Sequence, residues 1–295
     1  MPPAEKCPVC DAPGPEHFLD GSIDPAYLTP DDFRITDRRY GSRWPFSRCR
    51  ACGFIFADPR PSAQQIVAFY NQLEDPAYGQ EAAGRARNFS PILKRVRRYH
   101  PRARRLLDIG AASGIFLDAA ARSGYEGVGI EPSASLVAEA KSRYGIELFC
   151  GTLEDYPATP PFDVVTLLDL IEHVVDPVAF MTLVSSRVAP GGLLVIVTPD
   201  GASLAARLAG KRWWHYRTAH VHFFSLPALT TLLDRHGFDV IAKRRYAWNF
   251  TLHYLATRLW PSLDRFSALQ KVLKRINWRL QLFDSWEIYA RKRST

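Results

Sequence analysis

From residue 105 onward, short β-branched or leucine-rich runs alternate with segments whose apolar positions recur at helical spacing. Runs at 106–109, 127–130, 146–149, 164–168 and 193–197 predict strands, and segments 113–123, 133–144 and 177–188 predict the helices between them. Further on, 225–236 reads as a helix closed by Gly237, 238–242 as a strand and 286–290 as a last strand. Alternation of this kind makes a parallel sheet covered on both faces, so the expected fold class over 105–295 is α/β, with seven mostly parallel strands. Ahead of it, Pro59-Arg60-Pro61 punctuates the chain, and Ser62 caps a helix carrying Ile66, Phe69 and Tyr70. A second helix is expected from Ser90, with Pro91 in its first turn, to about Tyr99, so that 61–104 forms a helical cap or linker. Late in the chain, Leu252, Leu255, Leu259, Leu263, Phe266, Leu269, Val272, Leu273, Ile276 and Leu280 alternate with arginines and lysines. This predicts an amphipathic helical insert at about 250–283, serving as a lid or a dimer interface, with contact to anionic lipid as the alternative.

With 295 residues, 47% of them hydrophobic and 12% aromatic, the chain has enough apolar mass for a packed core, which excludes disordered and collagen-like classes. It has no run of about 18 uncharged apolar residues, so a membrane span is not expected. Met1-Pro2-Pro3-Ala4-Glu5-Lys6-Cys7 has no basic segment followed by an apolar stretch, which makes a cytoplasmic location with reduced cysteines the expectation. The net charge of +8 concentrates in 94–105, 243–245, 271–275 and 291–293. No basic run is interleaved with aromatic residues, so solvated faces are expected ahead of contact with nucleic acid or a membrane surface.

Two C-x-x-C pairs, Cys7-Pro8-Val9-Cys10 and Cys49-Arg50-Ala51-Cys52, change the picture of residues 1–60. Each span lets both thiolates reach one ion, and tetrahedral zinc suits four sulfurs. The 38 residues between the pairs exceed the spacing of a small finger, which predicts a zinc ribbon with an inserted hairpin. Arg38-Arg39-Tyr40 and Trp44-Pro45-Phe46 are the expected strands. Four thiolates close the coordination sphere, so the zinc is expected to be structural. Cys150, after an apolar run, is expected to be a small buried hydrophobe.

The first strand-to-helix turn, Leu106-Leu107-Asp108-Ile109-Gly110-Ala111-Ala112-Ser113-Gly114, carries glycines that let backbone approach a ligand. Glu131 follows Gly110 by 21 residues, at the end of the second strand, where a carboxylate accepts both hydroxyl hydrogens of a ribose. A dinucleotide fingerprint would need three glycines, and Gly110, Ala112 and Ile115 supply one.

Asp108-Ile109-Gly110-Ala111-Ala112-Ser113-Gly114, Gly129-Ile130-Glu131-Pro132, Gly151-Thr152-Leu153-Glu154, Phe162-Asp163-Val164-Val165, Asp169-Leu170-Ile171-Glu172-His173-Val174-Val175-Asp176-Pro177, Ala189-Pro190-Gly191-Gly192 and His220-Val221-His222-Phe223-Phe224-Ser225 resemble, in order, the motifs of class I S-adenosylmethionine-dependent methyltransferases. The branch is similar to ubiquinone-pathway O-methyltransferases, and the cysteine ribbon resembles that of bacterial methyltransferases acting on sugars or secondary metabolites. The resemblance implies a Rossmann-like sheet and S-adenosylmethionine as cofactor. It implies that Asp108 and Gly110 line the amino-acid end, that Ala112 and Gly114 of the same loop are also cofactor-binding, that Glu131 binds the ribose, that Thr152 and Leu153 flank the adenine with Glu154 near its amine, and that Asp169 sits by the methionine moiety. Ala112 departs from the family's usual glycine.

Methyl transfer is an in-line displacement that needs an oriented acceptor and exclusion of water, and a hydroxyl acceptor gains from a base. His173, His220 and His222 are the candidate bases, and Trp213-Trp214-His215-Tyr216 a candidate acceptor wall. Adjacent Glu172 and His173 resemble a divalent-metal pair of the ubiquinone-pathway relatives, but need a third ligand from elsewhere. The expected activity is methyl transfer to oxygen of a small molecule or glycan precursor, by a monomer or homodimer. An RNA methyltransferase and a catalytically silent cofactor-binding adaptor are the alternatives; against the first, Asp169-Leu170-Ile171-Glu172 stands where an amino-group methylase carries Asn-Pro-Pro-Tyr.

Overall fold

The computed structural model describes residues 4–36, 40–75, 78, 82–259, 270, 272–273 and 275–294. In the ribbon, β1 (Glu16–Leu19), β2 (Phe46–Arg48) and β3 (Ile55–Ala57) pair antiparallel in that order. Of the expected strand residues only Phe46 lies in a strand: Tyr40 sits in a turn, Trp44 and Pro45 precede β2, and Arg38 and Arg39 lie outside the described residues. The outer strand β1 comes from a segment with no strong apolar alternation.

Next come α1 (Ala63–Asn71), capped by Ser62 whose side chain accepts from the Gln65 amide, and α2 (Ala82–Tyr99). The second helix is longer than expected and carries Pro91 in its interior. Its buried face of Ile92, Leu93 and Val96 packs on the main sheet, and Phe89 meets Phe116 edge-on at 5.2 Å; this packing outweighs the one helical hydrogen bond that proline lacks.

The main sheet contains β4 (Arg105–Ile109), β5 (Glu126–Glu131), β6 (Phe149–Cys150), β7 (Phe162–Leu168), β8 (Val188–Pro199), β10 (Phe238–Arg245) and β13 (Ser285–Lys292). Between β8 and β10 the short β9 (His222–Phe223) leaves to join the ribbon as its fourth strand, beside β3. The main-sheet order is β10-β13-β8-β7-β4-β5-β6, parallel except for β13, which runs antiparallel to both neighbours. Alternation along the strands separates two cores: Leu107, Val165 and Ile196 face α5 (Pro177–Arg187) and α7 (Leu226–Arg235), while Leu106, Val164 and Val195 face α2 and α3 (Ile115–Arg122). Helix α4 (Ala134–Tyr144) leads into β6, and α6 (Leu204–Ala209) follows β8. The fold is thus the expected α/β one.

Strand β6 begins later than expected. Gly145 takes a left-handed conformation that closes α4, and the Ile146 amide donates to the Ala140 carbonyl, so Ile146 belongs to the helix end. Cys150 is exposed on this edge strand instead of buried.

The late insert is not one helix. It is a hairpin of β11 (Trp248–Thr251) and β12 (Asn277–Leu280) around α8 (Leu252–Leu259); Leu263, Phe266 and Leu269 lie outside the described residues. β11 is tied to α2 where the Asn249 amide donates to the Asn88 side-chain oxygen at 2.6 Å. Among the described residues no helix is long and apolar enough to cross a membrane.

Candidate functional site

At the carboxyl ends of β4, β5, β6 and β7 the chain turns over a cavity of about 590 Å³. Three left-handed residues, Gly110 (φ 76°), Ala112 (φ 46°) and Gly114 (φ 76°), fold the first turn tightly. Ala112 adopts this conformation despite its Cβ, so the missing glycine shows as local strain and not as a changed loop. The turn is fastened by Glu131: its two oxygens accept from the Ala112 and Ser133 amides, each at 2.9 Å. Asp108 accepts from the Thr166 hydroxyl at 2.6 Å. Thr152 is held by Asp155 through both its amide and its hydroxyl.

Asp108, Gly110, Ala112, Glu131, Thr152, Leu153, Glu154 and Asp169 all line the cavity. Gly114 does not. It caps α3, and a Cβ there would come within 3.2 Å of the Ala140 Cβ, so its role is to seat α3 against α4.

Burial pushes the Asp108 carboxyl up to about 7 against the pull of the Thr166 hydrogen bond, and the Glu131 carboxyl up to about 7 against those of the two amides. Asp169 is likewise raised by burial to about 7, with the Arg85 charge opposing. Three carboxyls of raised pKa around one space, Asp108 and Glu131 buried and Asp169 partly so, suit a cationic ligand, which would restore their charge. Arg85 also lines the cavity, with its guanidinium 4.2 Å from the Tyr78 ring centre. Neither side chain stands out in the sequence, because Arg85 lies in a basic stretch without a motif.

The other end of the cavity is made of imidazoles and aromatics. The His173 Nδ1 is 2.6 Å from the Tyr70 hydroxyl, and the His173 ring meets His220 edge-on at 4.7 Å. His220 stacks on His215 at 6.0 Å, and the His215 Nε2 lies 3.2 Å from the Asp284 carboxylate. His215 belongs to the expected acceptor wall, whereas Tyr70 and Asp284 carry no motif. They are distant in sequence, and only the fold brings them together.

Burial, with the charge of Arg217 added, pushes His173 down to about 3, and burial also holds His220 well below its ordinary value. Both rings are therefore neutral at neutral pH. Glu172 is raised well above the carboxylate range by burial and by Asp169; its Oε2 accepts from the Thr198 hydroxyl at 2.9 Å. Glu172, His173 and His220 offer donor atoms within 4.8 Å of one another, so His220 is the third group that the adjacent Glu172 and His173 lack. The Glu172 Oε1 and the His220 Nδ1 are buried without a protein partner, a donor set that suits a divalent cation or a hydroxyl-bearing acceptor.

His222 is not brought to the cavity. It is buried between Phe54 and Phe224, its Nε2 donates to the Val175 carbonyl at 3.1 Å, and burial holds it down to about 4. The tryptophan pair also divides: Trp213 is fully buried in a core, and Trp214 alone lines the cavity. Phe250, Leu255, Leu280 and Leu282 of the insert lie along the same space, the position of a lid.

In the ribbon, the sulfurs of Cys7, Cys10, Cys49 and Cys52 lie within 4.8 Å of one another, with Cys7 to Cys52 at 3.7 Å and Cys10 to Cys49 at 3.5 Å. Sulfurs about 2.3 Å from a tetrahedral ion would be about 3.8 Å apart, so the cluster fits such an ion. None of the five cysteines is in a disulfide.

Residues 81–243 match the family model for a methyltransferase domain. A ubiquinone biosynthesis O-methyltransferase of Bradyrhizobium sp. (strain ORS 278) is 36% identical over 126 residues, 39% of this chain and 50% of the relative. Its counterpart from Cereibacter sphaeroides (strain ATCC 17025 / ATH 2.4.3) is 33% identical over 159 residues, 49% of this chain and 64% of the relative. The chain thus spans about half to two thirds of the length of these curated relatives. In fold it is similar to a SAM-dependent methyltransferase from Methanosarcina mazei, with a TM-score of 0.50 at 18% identity over 70% of this chain and 98% of that one.

Proposed function

The chain belongs to the methyltransferase-domain family and is an S-adenosylmethionine-dependent methyltransferase, and from that premise we propose that it methylates an oxygen of a small molecule or sugar-containing precursor. The observation that carries this reading is a single cavity with carboxyls at one end and neutral imidazoles and a phenol at the other. Bound S-adenosylmethionine supplies a methyl group activated by a positively charged sulfur. Glu131 keeps lone pairs for the ribose hydroxyls beyond those taken by the two amides. Asp108 and Asp169 face the cofactor's cationic amino-acid end, and Arg85 is placed for its carboxylate. Thr152, Leu153 and Glu154 form the adenine end.

Tyr70, His173 and His220 hold the acceptor oxygen. In the tautomer whose Nδ1–H donates to the Tyr70 oxygen, the His173 Nε2 keeps the lone pair that takes the acceptor's proton. A poorly basic ring is sufficient, because an oxygen bonded to an incoming methyl is a far stronger acid than the starting hydroxyl. The insert above the cavity excludes water and favours a small acceptor over RNA. The four-cysteine cluster is read as a structural zinc site, because four thiolates leave no position for substrate.

Calorimetric titration with S-adenosylmethionine, S-adenosylhomocysteine and NAD tests the cofactor end, and a mass-spectrometric screen of phenols, sugar nucleotides and short RNAs tests the acceptor. Binding of the first two alone, with methylated phenol or sugar product, is expected. Methylated RNA, or methylation on nitrogen only, would overturn the acceptor assignment.

A further inference from the structure

The backbone of Val221 bridges two parts of the molecule. Its carbonyl accepts from the Ala57 amide of the ribbon at 2.9 Å, and its amide donates to the Glu172 carbonyl at 2.9 Å. One residue on, His222 pairs with Phe56 in the β3–β9 ladder while its ring reaches across to the Val175 carbonyl. Nε2 must carry the proton for that bond, since a carbonyl only accepts. Phe54, two residues after Cys52, lies 5.1 Å from the His222 ring and 4.8 Å from Phe224. The Ser225 hydroxyl donates to the Cys52 carbonyl, and a Cβ on Gly53 would come within 3.1 Å of that hydroxyl oxygen, so the second cysteine knuckle lies directly against the start of α7. Arg235 of α7 bonds the Val9 carbonyl and the Asp11 carboxylate behind the first knuckle.

Two of these contacts, Val221 to Glu172 and His222 to Val175, reach residues 172–175, which carry Glu172 and His173 into the acceptor end, and the others tie the segment around His222 to the ribbon; none involves Asp108, Glu131 or Thr152. We propose that His222 is a positioning residue: through the Val175 carbonyl it holds the 172–175 segment in the acceptor wall, and the four-cysteine ribbon holds His222. The inference rests on the proposed acceptor end. It makes ribbon integrity a requirement of that end and not of the cofactor end.

The test compares wild type, His222→Leu and His222→Gln in the full, metal-replete chain. Three quantities are read: hydrogen exchange of the Val174 and Val221 amides, the ¹⁵N resonances of the His173 ring, and calorimetric affinity for S-adenosylhomocysteine. His222→Leu should speed exchange at both amides by about tenfold and shift the His173 ring signals, with affinity unchanged within about twofold. His222→Gln, which keeps a donor, should restore both. Unchanged exchange in the leucine variant, failure of glutamine to rescue, or a fall in cofactor affinity matching the exchange effect would overturn the proposal. If His222→Leu does not fold, Phe54→Leu loosens the same link from the ribbon side and is read by the same three quantities. Absence of S-adenosylhomocysteine binding by wild type would instead break the proposed function, since the exchange effect needs no cofactor.

Discussion

The two ends of the cavity are built by different means. The cofactor end, from Asp108 to Glu154, comes from the turns after three neighbouring strands, and its groups are set by short-range contacts: left-handed residues at 110 and 112, two amides on Glu131, Thr166 on Asp108 and Asp155 on Thr152. The acceptor end is gathered from α1, the segment after β7, the loop before β9, the insert and Asp284 just ahead of β13. Its side chains are held by one another and by the ribbon. A family can therefore keep the first end and exchange the second, which is how one fold serves many acceptors.

Several perturbations would break or sharpen that contrast. The largest effect is expected from Cys49→Ser, because metal-binding energy is folding energy and this cluster shares a core with α7; a loss of about 5 kcal/mol would lower the melting temperature by roughly 10 °C or more. Metal analysis and a thermal melt check it, and an unshifted melt with four thiols titratable in the wild type would remove the metal reading. Next is His173→Ala, which should slow transfer by about a hundredfold while leaving cofactor affinity alone. Its mirror is Glu131→Ala, which should weaken S-adenosylmethionine by roughly 30-fold, about 2 kcal/mol, with the acceptor end intact. If either variant disturbed both ends equally, the division between them would fall.

A pH effect follows from the raised carboxyls. Asp108, Glu131 and Asp169 hold protons in the folded free protein up to about 7, while their unfolded counterparts lose them near 4. The folded state then binds more protons between those values, so this contribution to stability is full below about 4 and declines as pH rises toward about 7. A cationic cofactor reverses the preference, so S-adenosylmethionine should bind more tightly from pH 5 to 8 and release protons. Calorimetry in buffers of different ionisation enthalpy would detect them. The smallest expected effect is Ala112→Gly, which relieves a left-handed alanine and should stabilise the protein by about 1 kcal/mol in denaturant melts, with cofactor affinity retained.

The same contrast explains what could be read from sequence. The turn at 108–114 and the carboxylate at 131 were legible because a strand end, a glycine and a following helix are local signals. The conformation of Ala112 was not, since alanine gives no warning of a left-handed backbone. Two residues apart, His220 and His222 would share a face in an extended strand, which makes both candidate bases; β9 begins only at His222, so the two rings diverge, His220 to the cavity and His222 to the ribbon seam. Trp213 and Trp214, being adjacent, point apart, one entering the core and one the cavity wall. The cysteine spacing announced a ribbon but could not show that its fourth strand lies far along the chain, because a two-residue strand has no periodicity to detect.

That distant strand also sets an order on synthesis. As the chain leaves the ribosome, both cysteine pairs and β3 emerge early, yet the edge that Ile55 and Phe56 present stays unpaired until residues 222 and 223 follow. A nascent or prematurely ended product carries an open hydrophobic strand edge, the kind of edge that recruits other chains into aggregates. Early capture of metal by the cysteines cannot cure this, since the ion leaves the edge free. Yield in the cell should therefore depend on how quickly the middle of the message is translated.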